Sequence, residues 1–422
     1  MTKPSPADRG EYLSARDVMR MLDIRRQTLY AYVSRGWIDS IGQPGQKERL
    51  YSRDDAERVL SRSRARSGHG PAAAAAMNWG DPIITSQITQ LTPDGPLYRG
   101  LPALTLAVQS AAYEDVAELL WTGHSPSTPT RWPVAKIASA ITNVAAIRLP
   151  SNEALFELLA LVTIKLGLAR GTSHDDAGGP EVLLAPARSL VQGLTGCFGY
   201  ITPRRAFTPV AAGESVLDAL VRILGIVDDA DNRRLLNAFL VLFADHELSP
   251  GALAARVAAR SGGTLHNCIA AAISASSGTL QARVYTNVEG YFAGARTTER
   301  LFGMAADLHT AGQPIPGFAR HGFYHKGDPR ARLLLDIARE RAHPSARLRA
   351  LIRFIGRVHD EFGLPPRNEM AAIAVTESLK LPAYSTGPLF ALARTAGWIA
   401  HVLEQRASDT ELRPRARPST DP

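Results

Sequence analysis

Apolar residues at spacings of three and four recur through this chain from residue 77 onward, and that period limits what it can fold into. The stretches AYEDVAELLWTG, EALFELLALVTIKLG, ESVLDALVRILGIV and NRRLLNAFLVLFADH each gather their apolar residues on one side of a helix. Pro and Gly break the chain between such stretches. Alternating stretches that would make strands are scarce. The best is PIITSQITQL, ahead of Asp94-Gly95, which reads as a strand and a turn. The expected class is mainly α. A chain of 422 residues, 45% hydrophobic and 21% charged, has room for two or three domains with sizeable cores.

Several function classes fall away early. No run of about 18 apolar residues lacks a charge or a breaker, so no transmembrane helix is expected. The start, MTKPSPADRGEYL, has no apolar core of a signal peptide, which points to the cytoplasm. Cys197 and Cys268 sit in small apolar contexts and read as buried free thiols. Histidines outside the motifs below show no metal-ligand spacing, so no metal is expected. The segment GTSHDDAGGP (171–180) reads as a solvated loop, and RPRARPSTDP at the end is too rich in Pro to be helical.

The net charge of +8 is uneven: residues 1–70 carry 14 Lys and Arg against 9 Asp and Glu. A basic unit at one end suggests a polyanion partner. Residues 11–60 are dense in helix signals, whereas 61–76, SRSRARSGHGPAAAAA, lacks large apolar residues and reads as a linker. Within EYLSARDVMRMLDIRRQTLYAYVSRGWI, Ser14 is a helix N-cap with Asp17 three residues on, and Val18, Met21 and Leu22 give the apolar stripe. Asp23 opens a turn, a second helix follows, and Gly36 stops it. This segment resembles the winged helix-turn-helix of the MerR and excisionase families. There the second helix enters the major groove and the wing touches phosphate. The resemblance implies DNA contacts from Arg25, Arg26, Gln27 and Tyr30, with Lys47, Arg49 and Arg53 on the wing. Two-helix units also serve as plain packing modules, so both uses stay open.

Four later stretches belong together: PLYRGLPALTLAVQSAAYEDVAELLWTGHSP (96–126), ADHELSPGALAARVAA (244–259) with AAAISASSGTLQ, PIPGFARHGFYHKGDPRARLLL (314–335), and RNEMAAIAVTESLKLPAYSTGPLFALARTAGWIAHVLEQ (367–405). In that order and spacing they resemble citrate synthase, over residues 77 to about 415. The resemblance implies an almost all-helical fold working as a homodimer. It implies a large domain, 77–281 with 381–415, and a small one, 282–380. It implies the joining of acetyl-CoA, or a close acyl-CoA, to the ketone of oxaloacetate, with the CoA thioester as substrate and no tightly bound cofactor.

That chemistry needs a carboxylate base, a donor for the enolate oxygen and a donor for the ketone. Guanidinium groups hold the dicarboxylate, because a planar fork meets a carboxylate with two hydrogen bonds. Carried over by motif, His246 of DHELS, Arg330 of DPRA, Arg394 of LFALAR and Arg413 near the end would bind oxaloacetate. His321 would polarise the ketone, and Gly317, Phe318, Ala319 and Arg320 would lie against CoA.

The acyl-CoA side departs from the pattern. The family's LHGGAN is LQARVY here, so Gln281 replaces the enolate-stabilising His, and Arg283 and Val284 stand near the turn. The family's NVDF is RNEM, so the base is Glu369 rather than Asp. The GFGH loop gains a residue, reading GFARH, which sets Arg320 beside His321. A Gln amide can still point N–H at an enolate oxygen but cannot relay a proton. Two readings follow. One is a citrate synthase-like condensing enzyme of altered or reduced activity. The other is a DNA-binding transcription regulator that senses a dicarboxylate or CoA with a catalytically impaired fold, its dimer meeting half-sites roughly 34 Å apart or a multiple of that.

Overall fold

The computed structural model describes residues 12–34, 37–42, 49–53, 55, 56, 59, 84–137, 149–171, 180–278, 281–320, 323, 324, 326–408 and 412. They fall into two compact units. One lies within Met1–Ser86 with Thr310–Gly312, the other within Gln87–His309 and Gln313–Pro422. The expected linker, 61–76, and the Pro-rich end from 413 lie outside the described residues.

In the first unit, β1 (Tyr12–Ser14) leads into α1 (Ala15–Leu22), and α2 (Arg26–Ser34) follows. Ser14 caps α1 as expected: its Oγ accepts the Asp17 N–H at 3.2 Å and donates to the Asp17 carboxylate at 2.7 Å. Asp23 ends the helix in the left-handed region, φ 52°. β2 (Ser40–Gly42) and β3 (Arg49–Ser52) complete an antiparallel sheet of order β1-β3-β2. Val18, Leu22, Leu29, Ile38 and Tyr51 form a small core between helices and sheet.

The second unit is mainly helical. It opens on a meander of β4 (Thr89–Thr92), β5 (Gly95–Tyr98) and β6 (Leu101–Pro102). The strand expected from PIITSQITQL is thus confined to its end, and the turn falls at Pro93-Asp94, one residue ahead of the expected Asp94-Gly95. Helices follow as α3 (Ala103–Val108), α4 (Tyr113–Thr122), α5 (Leu155–Arg170), α6 (Leu184–Gly196), α7 (Val216–Leu224), α8 (Ala230–Leu242), α9 (Pro250–Arg260) and α10 (Leu265–Ser276). Then come α11 (Ala282–Phe292), α12 (Thr298–Thr310), α13 (Pro329–Arg339), α14 (Ala346–Phe362), α15 (Asn368–Ser378) and α16 (Thr386–Arg406). All four stretches singled out by periodicity contain helices: α4, α5, α7 and α8.

Helix α16 is the centre of the unit. It is buried on every face from Thr386 to Leu403, which is what an all-round apolar helix must be. Helices α4, α5, α8, α9, α10 and α11 pack on it. Tyr113 and Trp121 of α4 hydrogen-bond to its carbonyls at Leu392 and Ala396, at 3.0 and 2.9 Å. Helix α15 packs against α11, α13 and α14. No described helix is long and apolar enough to cross a membrane.

Candidate active site

Helix α8 runs out at Leu242, and the turn behind it carries Phe243, Asp245 and His246. Two contacts with α16 fix this turn. The Gly397 N–H donates to the Ala244 carbonyl at 2.9 Å. The Asp245 carboxylate, fully buried, lies 3.3 Å from His401 Nε2 and accepts the Glu247 N–H at 2.9 Å. Gly397 is required here, because a Cβ would come within 2.2 Å of Asp245 Oδ1. His401 is held from its other side by Arg256, whose Nε donates to Nδ1 at 2.9 Å. Burial alone would raise the Asp245 carboxyl, but His401 and Arg394 more than offset it and hold it well below the usual range. The turn thus presents His246, whose Nε2 is 3.2 Å from the Tyr324 hydroxyl.

Arg394 reaches the same turn from α16. Its Nε donates to the Phe243 carbonyl at 2.7 Å, and its guanidinium lies 4.9 Å from the Phe390 ring centre. Arg330 arrives from the start of α13. Its guanidinium lies 5.7 Å from the Phe243 ring centre, so both arginines converge on Phe243. Asp328 caps α13 through the Arg330 N–H at 2.9 Å and also accepts from Arg330 Nε at 3.1 Å and Nη2 at 2.7 Å. Burial works against both charges, but each stabilises the other: the Asp328 carboxyl is held down and the Arg330 guanidinium held up. One donor is left over. Arg330 Nη1 is buried with no partner among the described residues.

Glu369 stands in the first turn of α15, 5% exposed. Its neighbour Asn368 donates to Asp328 at 2.8 Å, which ties this helix start to the Arg330 site. Glu369 Oε1 is 3.4 Å from Arg367, while Oε2 is buried without a hydrogen-bond partner among the described residues. Burial pushes the carboxyl above its ordinary range, against the pull of Arg367. A buried carboxyl so raised, beside converging cations, is a common sign of a functional site.

The remaining expected residues are placed as follows. Gln281 immediately precedes α11, half-buried, with its N–H bonded to the Gly278 carbonyl at 3.0 Å. No hydrogen bond joins its side chain to Glu369. Gly317 has φ 80°, and a Cβ there would meet Met370 and Val288. Phe318 is buried, bridged to Pro366 and set edge-on to Phe354 at 5.4 Å, so its side chain belongs to the core. Ala319 is half-buried and Arg320 exposed. His321, Arg413 and Lys47 lie outside the described residues. In the first unit Arg25, Arg26, Gln27 and Tyr30 are exposed. Arg26 donates to the Tyr30 hydroxyl at 2.9 Å. Arg49 is engaged with Ser40 at 2.8–2.9 Å, and Arg53 is half-buried. Among the described residues no group of His, Cys, Asp and Glu is placed to hold a metal ion.

Five residues of this site escaped sequence reasoning: Asp245, Tyr324, Asp328, Asn368 and His401. Asp328 had a signal, since an Asp two residues before an Arg at a helix start can cap and pair at once. His401 had one too. It lies seven residues after Arg394, hence on the same face of an otherwise apolar helix.

The profile described as "Citrate synthase, C-terminal domain" matches residues 77–415. The chain belongs to the citrate synthase family. It is a transferase of that family. Citrate synthase 2 of Bacillus subtilis (strain 168) is 27% identical over 349 residues, 79% of this chain and 92% of that protein. The citrate synthase of Haloferax volcanii is 26% identical over 328 residues, 73% and 86% of the two chains. One similar solved structure is the ternary complex of carboxymethyl coenzyme A and oxaloacetate with citrate synthase from Thermoplasma acidophilum. It has a TM-score of 0.70 at 18% identity, over 81% of this chain and 95% of that one. Citrate synthase from Thermotoga maritima MSB8 gives 0.65 at 22% identity, over 81% and 94%. The mainly helical fold expected from the motifs is the fold found.

Proposed function

We propose that this protein condenses acetyl-CoA, or a related acyl-CoA, with oxaloacetate. The observation that carries the reading is the state of Glu369: a buried carboxyl with one oxygen unpartnered among the described residues, whose chain neighbour Asn368 bonds to Asp328 and so to Arg330. In this reading Glu369 takes a proton from the carbon next to the thioester carbonyl. The C–H pair becomes the enolate double bond, and the carbonyl pair moves to oxygen. Gln281 faces that oxygen with a neutral N–H. The enolate carbon attacks the ketone of oxaloacetate, and His321 protonates the alkoxide as the C–C bond forms. Water then cleaves the thioester.

His246, Arg330, Arg394 and Arg413 hold the dicarboxylate, and the spare Arg330 Nη1 is a donor such an anion would satisfy. The reading includes a homodimer, a large domain of 77–281 with 381–415, a small domain of 282–380, and CoA along 317–320. Replacing His by Gln281 lowers the rate, since loss of such a donor costs ~10²–10³ in kcat and an amide recovers part of it. The test is CoA-thiol release from acetyl-CoA and oxaloacetate beside a Glu369→Ala control. Release that needs both oxaloacetate and Glu369 supports the reading; release unaffected by the substitution overturns the assigned base.

A second reading rests on the first unit. Two short helices, a three-stranded antiparallel sheet and an exposed Arg25, Arg26, Gln27 and Tyr30 suit a winged helix-turn-helix that binds duplex DNA. On that reading the citrate synthase fold reports dicarboxylate or CoA levels to the DNA-binding unit. Duplex DNA binding that falls with salt and shifts with oxaloacetate supports it; binding absent even at low salt overturns it.

A further inference from the structure

The enolate donor is the weakest part of this site. Gln281 is half-buried, precedes its helix and makes no bond to the base. One turn further along α11 stands Tyr285, which shares a helix edge with residue 281. It occupies the last position of LQARVY, where the family pattern quoted above has Asn. Tyr285 is 5% exposed, yet its hydroxyl has no hydrogen-bond partner among the described residues.

What surrounds Tyr285 is the site itself. Its ring packs on Phe390 with centres 5.2 Å apart, and Phe390 also carries the Arg394 guanidinium at 4.9 Å. The next turn of the same helix places Val288 against Gly317 alongside Met370, the residue after Glu369. Helix α11 therefore packs on both α15, which bears the base, and α16, which bears Arg394. Burial acts most on the phenol, and after it the nearby charges of Glu369, Arg394, Arg330 and Arg367. Those are the base, two of the dicarboxylate arginines and the neighbour of the base.

We propose that Tyr285 is a catalytic residue whose hydroxyl donates to the thioester oxygen as that oxygen becomes an enolate. The proposal rests on the condensation reading above. No proton changes owner at Tyr285: Glu369 takes the carbon-bound proton, the electron pair ends on oxygen, and the phenol O–H shares its hydrogen with that oxygen. Burial and the nearby Glu369 push the phenol's pKa well up, so it stays protonated and remains a donor across the working pH range. A phenol reaches further than a Gln amide, which suits a donor placed one turn deeper than residue 281.

Tyr285→Phe removes only the hydroxyl and keeps the stack on Phe390. Two readouts apply to the full-length protein. The first is turnover of acetyl-CoA with oxaloacetate. The second is the affinity for carboxymethyl coenzyme A in the presence of oxaloacetate, compared with free CoA. Carboxymethyl coenzyme A carries an anionic carboxylate one carbon from sulfur, near where the enolate oxygen forms, and its binding needs no turnover. The expected result is a kcat lower by ~10²-fold, with the KM for oxaloacetate little changed. The Kd for carboxymethyl coenzyme A should rise by about 10-fold or more, while that for CoA stays put. The melting temperature should change little, since the hydroxyl lost has no partner among the described residues. Gln281→Ala should cost less than Tyr285→Phe on both readouts. If Tyr285→Phe matches the wild type on both, or Gln281→Ala costs more, Tyr285 is not the donor, and the condensation reading survives. If the wild type neither turns over nor binds carboxymethyl coenzyme A, that reading falls and takes this one with it.

Discussion

Glu369→Gln separates the role of this carboxyl as a base from its cost to the fold. The side chain is buried, one oxygen has no partner, and the other sees Arg367 at 3.4 Å. Arg367 is 45% exposed, so water screens that pair and it contributes at most ~1 kcal/mol. Leaving a buried acceptor unsatisfied costs ~1–3 kcal/mol, and a charged one more. A neutral Gln of the same shape should therefore stabilise the protein by about 1–2 kcal/mol where Glu369 is charged. The sign with pH follows from the direction of the shift. The folded state holds the Glu369 proton more tightly than the unfolded chain does. Stability is therefore lost as pH rises from the ordinary carboxylate range through the raised folded value. The gain from Gln should be near zero at about pH 4 and full well above the folded pKa. A kcal/mol is worth ~1–2 °C in a unit larger than 250 residues, so the melting temperature should rise by ~1–3 °C at pH 8 and hardly at all at pH 4. Turnover should fall by ~10²–10⁴ in the same variant. Calorimetry at both pH values reads the first effect. A lower melting temperature at pH 8, or the same shift at both, would refute the idea of a carboxylate held at a cost for chemistry.

The other predictions concern the frame and the first unit. Arg330→Met leaves Asp328 buried without its cation, so urea denaturation should show a loss of ~3–5 kcal/mol, and oxaloacetate should no longer raise the melting temperature. Gly397→Ala drives a methyl toward Asp245 Oδ1 and the Ala244 carbonyl, 2.2 and 2.5 Å away, both in the core. It should cost ~1–3 kcal/mol; an unchanged urea midpoint would mean that α16 and the His246 turn have room to part. Arg25→Ala with Arg26→Ala should weaken duplex DNA binding and make the plot of log affinity against log salt shallower by about 2. A wild type with no salt-sensitive binding would remove the case for a DNA-reading unit.

The helices were legible because burial imposes a period that a single stretch of sequence carries. Ser215 with Asp218 ahead of α7, and Gly123 and Gly225 behind α4 and α7, mark ends that local chemistry sets. The positions of Arg330 and His246 follow from motifs at a helix start and a turn, and that of Arg394 from a motif inside α16; Arg413 lies outside the described residues. Less of the site's support was readable. Asp245 and His401 meet only because α16 crosses the end of α8, and nothing in either segment announces the other. Asn368 carries no signal of its own in RNEM, yet it ties the start of α15 to Asp328. Phe318 reads in the sequence as part of a ligand loop, but its backbone bridges to Pro366 and its ring meets Phe354. Tyr285 was passed over for the opposite reason. Its neighbours Gln281, Arg283 and Val284 drew notice as departures from a pattern, while an aromatic residue in an apolar helix reads as ordinary core.

The central claim is that a carbon–carbon bond forms here with Glu369 as base. Acetyl-CoA labelled with ¹³C at the methyl carbon, incubated with oxaloacetate and the purified protein, tests it directly by mass spectrometry or NMR. The account predicts label in a tricarboxylate product, formed more slowly as pH falls toward the carboxylate range, and at least ~10²-fold more slowly with Glu369→Gln. Oxaloacetate that stabilises the protein against heat, with no labelled tricarboxylate at any pH between about 5 and 9, would contradict it and favour a dicarboxylate-sensing role.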